Sequence, residues 1–252
     1  MARHPDWLAP GWTLPGVTAL MTTRAGGVGV APFDSLNLRD GLGDDAHITA
    51  RNRQIVAAAI GATPVYLNQV HGCSVVRLTR EDLRPGATVH TADASITTEP
   101  GIACAAQVAD CLPVLYVAPQ ARAVGAAHAG WRGLAGGVLE ATLQAICEAA
   151  ACEPRDVRTW LGACIGPSAF EVGADVLAAF GAAPDSARFR AHLPGKWLAN
   201  LPGLARDRLR AAGVGDIGGG TWCTVSEPSR FFSFRRDRVT GRMAALIAID
   251  PC

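Results

Sequence analysis

Two histidines and one cysteine stand in similar settings along the sequence. His71 sits in Asn68-Gln69-Val70-His71-Gly72, Cys111 in Ala109-Asp110-Cys111-Leu112-Pro113, and His128 in Ala127-His128-Ala129-Gly130-Trp131-Arg132-Gly133. Each falls at or just past the end of an apolar, strand-like run, beside Gly or Pro. Each is flanked by polar groups that a plain core would not need. Two imidazoles and a thiolate make a zinc set in which three protein ligands leave the fourth tetrahedral position open, the arrangement of a catalytic rather than a structural site. Such a position supplies a Lewis acid and brings bound water towards a pKa of about 7. The spacings carry no ligand signature, so convergence must come from the fold. A metal-free alternative makes Cys111 a nucleophile with His71 or His128 as its base. Asp110 is a candidate to orient that imidazole, although on a strand it would face away from Cys111.

The elements that must bring these residues together follow from periodicity and turn chemistry. His128 lies in the small-residue segment 124–133, between an apolar strand and a helical pattern. Small residues let backbone or ligand approach the ring, and such a junction aims N–H groups at whatever lies above it. Residues 1–16, rich in Pro and Trp, are expected to form an irregular arm. A strand is predicted at 17–22, running into the Gly-rich turn 23–29 with its single arginine, Arg24. That turn can present N–H groups to an anion but lacks the P-loop pattern. Asp44 or Asp45 caps a helix through Ile60, with Ile48, Ile55, Val56 and Ala59 inward and Gly61 as the stop. Further strands are predicted near 65–67 and 75–78, and at 94–97, 103–108, 114–117, 124–127, 159–161, 216–221, 231–234 and 243–249. Helices are predicted at 134–152, 172–180 and 201–212. Strands outnumber helices without regular alternation. That favours a single α+β domain over residues 1–252, a mixed β-sheet core flanked by helices, rather than a doubly wound sheet.

Composition removes several function classes. A formal charge of +1 over 252 residues gives no reason to expect a nucleic-acid or membrane surface. Lys196 is the sole lysine, so the arginine count is not read as phosphate recognition. No apolar run approaches the roughly 18–20 residues of a membrane span. The first residues, Met-Ala-Arg-His-Pro-Asp-Trp, lack the apolar stretch of a secretory signal, which makes the cytoplasm the expected location. There thiols stay reduced. The eight cysteines include no CxxC pair, which excludes a zinc ribbon or a thioredoxin-like motif; most are expected to be small buried hydrophobes.

The three segments around His71, Cys111 and His128 resemble the signature segments of the YfiH-like family, the laccase-domain or polyphenol-oxidase-like purine nucleoside phosphorylases. Supporting segments also match: Met21-Thr22-Thr23-Arg24-Ala25-Gly26-Gly27, Ser35-Leu36-Asn37-Leu38, Gly162-Ala163-Cys164-Ile165-Gly166-Pro167 with Glu171-Val172-Gly173, Phe232-Ser233-Phe234-Arg235-Arg236, and Thr240-Gly241-Arg242-Met243-Ala244. They run in order along nearly the whole chain. The resemblance implies an α+β fold once grouped with cysteine hydrolases. It implies a metal, usually zinc, held by the counterparts of His71, Cys111 and His128, with copper as the alternative from older labels. It also implies phosphorolysis of adenosine, inosine and methylthioadenosine, with adenosine deamination as a second activity. The expected partners are thus purine nucleosides and phosphate, acted on by a monomer or, alternatively, a homodimer. Ser168 stands where relatives often carry Cys, so no thiol role is expected there.

Phosphorolysis passes through an oxocarbenium-like state and releases an anionic purine, so phosphate, ribose and base must be held in line. Arginine suits phosphate through its planar fork. Arg24 and Arg132 are the first candidates, with Arg236 and Arg242 behind them. Asn37, Asn68 and Gln69 are candidates for hydroxyls or the base edge, and Trp131, Phe232 or Phe234 for stacking on the purine. Three rival readings accompany this one. A Cys–His amide hydrolase of cell-wall metabolism would work without metal. A copper polyphenol oxidase is hard to build with six histidines, of which His4, His47, His90 and His192 are scattered. A nucleoside-binding regulator would bind without turnover.

Overall fold

A six-stranded and a four-stranded β-sheet lie face to face, and the three chemical residues gather where the ends of these sheets open. The computed structural model describes residues 3–183 and 185–251. Among them, in chain order, the strands are β1 (Val17–Met21), β2 (Thr63–Val65), β3 (Val75–Arg77), β4 (Ala94–Thr97), β5 (Ile102–Val108), β6 (Leu112–Val117), β7 (Val124–Ala129), β8 (Arg158–Leu161), β9 (Glu171–Val172), β10 (Phe189–Leu193), β11 (Lys196–Ala199), β12 (Asp216–Gly219) and β13 (Met243–Ile249). The α-helices are α1 (Ala46–Ile60), α2 (Trp131–Gly136), α3 (Val138–Ala150), α4 (Ala174–Ala179), α5 (Leu201–Ala211) and α6 (Phe234–Asp237).

The large sheet runs β12-β8-β6-β7-β4-β3 and the smaller one β1-β13-β5-β2; both mix parallel and antiparallel neighbours. This is the mixed α+β architecture expected from the sequence. Two-residue alternation decides what each strand face covers. In β5, Cys104, Ala106 and Val108 pack between the sheets with Leu115, Val117, Val124 and Trp160. Ala103 and Ala105 turn outward to Val56 and Ile60 of α1. On the large sheet, Val114, Tyr116 and Ala127 face α3 and α5 through Leu139, Leu143, Leu204 and Leu209. The order of layers is therefore helix, sheet, sheet, helix.

Several expectations are corrected in detail. The helix expected over 134–152 is two helices, because Gly137 takes φ +101° between α2 and α3. Residues 231–234 are not a strand: Phe231 and Phe232 are buried, and the Ser233 hydroxyl accepts the Arg236 N–H to cap α6. The 172–180 segment begins as β9, and α4 starts only at Ala174. The three-stranded sheet β10-β11-β9 is missing from the sequence reading: in β10 Phe189, Ala191 and Leu193 alternate with Arg190 and His192, but the run is only five residues long and is exposed beyond Phe189. By contrast α1 follows its sequence signals: the Asp45 carboxylate caps it at His47 N–H, and Gly61 ends it at φ +72°. Of the arm at 1–16, Met1 and Ala2 lie outside the described residues. Beyond them Leu8 exchanges two backbone hydrogen bonds with Met21, and Trp7 is buried. The seven described cysteines are free thiols, Cys104 and Cys164 fully buried; Cys252 lies outside the described residues. No described helix is long and apolar enough to cross a membrane.

Candidate active site

His128 belongs to β7 and shares the face of Val124 and Ala126, so its ring points into the space between the sheets. Its Nδ1 meets the Asp93 carboxylate at 2.8 Å. An ionised carboxylate only accepts, so Nδ1 carries the proton and Nε2 is left to face the site. Asp93 lies just before β4, 1% exposed. Its Oδ1 also accepts the His71 N–H at 2.8 Å, and its Oδ2 accepts those of Gly72 at 2.6 Å and Val70 at 3.2 Å. Three successive N–H groups thus wrap one carboxylate, which holds His71 in the left-handed region at φ +62°. A single buried acid therefore orients one imidazole through its ring and the other through its backbone.

Cys111 sits in the turn between β5 and β6. The turn is set by Asp110 at φ +95°, whose carboxylate accepts from the Thr224 hydroxyl and the Arg235 N–H, both at 2.6 Å. Asp110 therefore anchors the Cys111 turn and orients neither histidine. The Cys111 Sγ lies 3.7 Å from His71 Nε2, and the two imidazoles stand edge to face with centroids 4.8 Å apart. One donor atom from each of His71, Cys111 and His128 lies within 4.8 Å of the others. Metal–nitrogen and metal–sulfur bonds of about 2.0–2.3 Å put tetrahedral ligand atoms roughly 3.3–3.8 Å apart. The cluster is close to that size, and its two nitrogens and one sulfur fit a zinc-type cation.

The electrostatics agree with this donor set. Burial pushes the Cys111 thiol up, but His128 and His71 beside it bring it down to about 6. Burial pulls the His128 imidazole down, yet Cys111 and Asp93 raise it to about 9. Asp93 is pushed up by burial and held below its ordinary value by His128 and the N–H groups of Gly72 and His71. Without metal the pair is thiolate and imidazolium at neutral pH, and the thiolate is the ligand form.

Gly130 makes the approach possible. A Cβ there would stand 2.6 Å from His71 Cδ2 and 3.1 Å from Cys111 Sγ. One helical turn on, a Cβ at Gly133 would stand 2.8 Å from the Gly72 carbonyl oxygen. The small residues read from the sequence as room for a ligand are room for the His71 turn.

The cluster lies at the wall of a cavity of about 360 Å³. Gln69, Gln107, Val108 and Ala109 line it from the small-sheet side, Phe234 and Arg242 from the segment leading to β13, and Arg39 and Leu42 from the loop before α1. Of the ten residues singled out in the sequence for substrate, Gln69, Phe234 and Arg242 line the cavity, and the Gln69 amide is paired to the Gln107 backbone at 2.8 Å on both sides. That pairing continues the edge of β5 where β2 stops. The other seven are not in its lining. Arg24 is engaged by Asp34 and the Pro228 carbonyl and stacks on buried Phe232. Asn37 is fully buried. Asn68 donates to the Thr91 hydroxyl. Arg132 lies over Trp131, 4.3 Å from its ring centroid, and Arg236 is held by Asp237 and three carbonyl oxygens. Asp93, Arg39 and Gln107 were not foreseen. Only Asp93 left a trace in the sequence, as an acid directly before an apolar strand.

Residues 18–250 match a family model described as multi-copper polyphenol oxidoreductase laccase. A purine nucleoside phosphorylase YfiH of Shigella flexneri is 47% identical over 245 residues, 95% of this chain and 97% of the relative. A crystal structure of a Neisseria meningitidis protein superposes with a TM-score of 0.89 at 45% identity, covering 98% of this chain and 100% of that one. YlmD from Geobacillus stearothermophilus gives a TM-score of 0.90 at 34% identity, covering 100% and 98%.

Proposed function

Because the chain belongs to the YfiH-like family of laccase-domain proteins, we propose that it is a purine nucleoside phosphorylase acting on adenosine, inosine and methylthioadenosine. Adenosine deamination is proposed as a second activity of the same cavity. The observation that carries the reading is the His71–Cys111–His128 cluster at the wall of a cavity of about 360 Å³, within the range of small-molecule sites. His71, Cys111 and His128 would hold a metal ion, and their two nitrogens and one sulfur suit zinc. When bound, that ion supplies a Lewis acid. Asp93 keeps the His128 proton on Nδ1 and the His71 turn fixed. Phe234, an exposed aromatic at the cavity edge, offers its face to the purine. Positioning phosphate, ribose and base in line is the main contribution left to the protein. The reading makes residues 1–252 one domain, working in the cytoplasm as a monomer; the free thiols support a reducing compartment.

The test is direct. Metal-analysed protein is incubated with inosine, with and without phosphate. Phosphate-dependent release of hypoxanthine with ribose 1-phosphate is expected, together with its loss in His71→Ala, Cys111→Ala and His128→Ala. Full release and full metal content in all three variants would end the proposal.

One observation favours a second reading. Cys111 Sγ lies 3.7 Å from His71 Nε2, as in a Cys–His nucleophile pair, and, against the effect of burial, the two imidazoles bring its thiol down. That reading requires activity that survives chelation and a covalent adduct on Cys111. A multicopper oxidase is less well supported, since among the described residues no second cluster of three His, Cys, Asp or Glu donors forms.

A further inference from the structure

We infer that Arg39 and Arg242 form a two-guanidinium clamp in the active-site cavity and that its ligand is inorganic phosphate. The choice of phosphate rests on the phosphorylase reading; the clamp itself rests on geometry. Both arginines line the cavity that contains His71, Cys111 and His128. They come from opposite ends of the chain and are pinned to one another by Asn37, which is fully buried. The Asn37 side-chain oxygen accepts the backbone N–H of Arg39 at 3.1 Å and that of Arg242 at 3.0 Å. Its amide nitrogen donates to the Arg39 carbonyl at 3.0 Å and to Asp44 at 2.9 Å. The Leu38 N–H adds a bond to the Arg242 carbonyl at 3.1 Å. Gly241 permits this contact, because a Cβ there would stand 2.9 Å from the Asn37 Cβ and 2.8 Å from the Phe232 ring. Asn37 thus serves the site by holding two arginines.

Neither guanidinium is closed by a carboxylate of the described residues in direct contact, and only the more distant Cys111 and Asp110 charges act in favour of the Arg242 cation. Arg24, Arg53, Arg188, Arg208 and Arg236 each meet a carboxylate. Among the described residues, no Asp or Glu lies at ion-pair distance from Arg39 or Arg242. Arg242 spends Nη1 on the carbonyls of Thr240 and Gly241, which fixes its direction without neutralising it. Burial, and then the charge of Arg39, pushes the Arg242 guanidinium below its ordinary value. Two like charges held together in a partly buried wall are unfavourable until an anion sits between them. Paired planar forks match the oxygens of a phosphate dianion. Of the four arginines suggested by the sequence, Arg242 lines the cavity, whereas Arg24, Arg132 and Arg236 lie outside it.

The experiment titrates inorganic phosphate, and separately adenosine 5′-monophosphate, into the full-length protein by calorimetry, and measures KM for phosphate and for inosine. Arg39→Gln is the primary variant, because the Arg39 guanidinium makes no hydrogen bond to described protein groups. Arg242→Lys, which keeps one positive charge, is the second, and thermal melts verify that both are folded. Phosphate should bind the parent protein, and Arg39→Gln should weaken it about tenfold to a hundredfold, the size of a lost charge-assisted bond. KM for phosphate should rise by the same factor while KM for inosine moves far less. Arg39→Lys should recover part of the loss. Equal phosphate affinity in parent and Arg39→Gln overturns the inference, as does binding of the nucleotide but not of free phosphate. Arg39-dependent phosphate binding without hypoxanthine release would remove the phosphorylase reading and keep the clamp. Phosphorolysis with an unchanged phosphate KM in Arg39→Gln would do the reverse.

Discussion

Asp93 is the residue on which the cluster turns. Its carboxylate accepts from His128 Nδ1 and from three backbone N–H groups around His71. Asn at this position offers one acceptor oxygen and an amide that clashes with donors. Asp93→Asn should therefore lower metal affinity about 10–100-fold, the usual cost of losing the partner of a ligating histidine, as read by competition with a chromogenic chelator. The loss should be larger than for Asp110→Asn, which disturbs only the Cys111 turn. Protonation gives a second residue-scale test. In the metal-stripped protein Cys111 titrates near 6 and His128 near 9, as a coupled pair. Iodoacetamide should alkylate Cys111 at rates that hold down to about pH 6, and His128→Ala should move that midpoint up towards the ordinary thiol value of about 8.5. An unmoved midpoint would show that the imidazole does not stabilise the thiolate. Stability follows the same signs. The thiolate contribution is present above the unfolded thiol value and is lost as pH falls through about 6. The imidazolium contribution is present below about 6.5 and is lost as pH rises through about 9.

At the scale of elements the junction of β7 and α2 matters most, because it presses on the His71 turn through two glycines. Gly133 lies inside α2, where Gly→Ala ordinarily stabilises by about 0.5–1 kcal/mol. Here the added Cβ would meet the Gly72 carbonyl at 2.8 Å. Gly133→Ala should instead destabilise, by about 1–3 kcal/mol as overpacking does, measured by urea unfolding. Gly130 has φ −64°, so Ala is allowed by the backbone and the clash falls on the His71 ring. Gly130→Ala should lose metal and activity with a smaller change in stability, a split that separates the two glycines. The junction was legible because a small-residue turn after an apolar strand is a local pattern. The strands β4, β5, β7 and β13 were legible for the same reason. Asp93 and Arg39 were not, since their meaning comes from what the topology sets opposite them. The β10–β11 hairpin was hidden by its shortness, five and four residues, and by the exposure of β10 beyond Phe189. At 231–234, aromatic residues that resemble a strand belong instead to a loop, which buries Phe231 and Phe232, and to a single helical turn that begins at exposed Phe234.

For the whole molecule, the question is whether the site holds the fold or the fold holds the site. Three buried apolar clusters fill the layers between α1, the small sheet, the large sheet and the α3–α5 face. The donor residues stand at the edge of these layers: Cys111 is a half-buried neighbour of the cluster between the sheets, and buried His128 ends the inward face of β7. The cavity instead draws on the loop before α1, the His71 turn, the ends of β5 and β7, and the segment before β13. A bound metal should therefore act as a ligand of an already folded protein, stabilising by mass action rather than by nucleating structure. At a free metal concentration of about 1,000 times Kd the gain is about 4 kcal/mol. For a chain of this size that corresponds to a melting shift of roughly 8–16 °C. Chelation should lower Tm by an amount of that order, leave the far-ultraviolet circular dichroism unchanged at room temperature, and be reversed by added zinc. The shift should vanish in His128→Ala, whose own melt already lacks the metal contribution. Loss of secondary structure on chelation at room temperature would reverse the argument and make the metal a structural element of the sandwich.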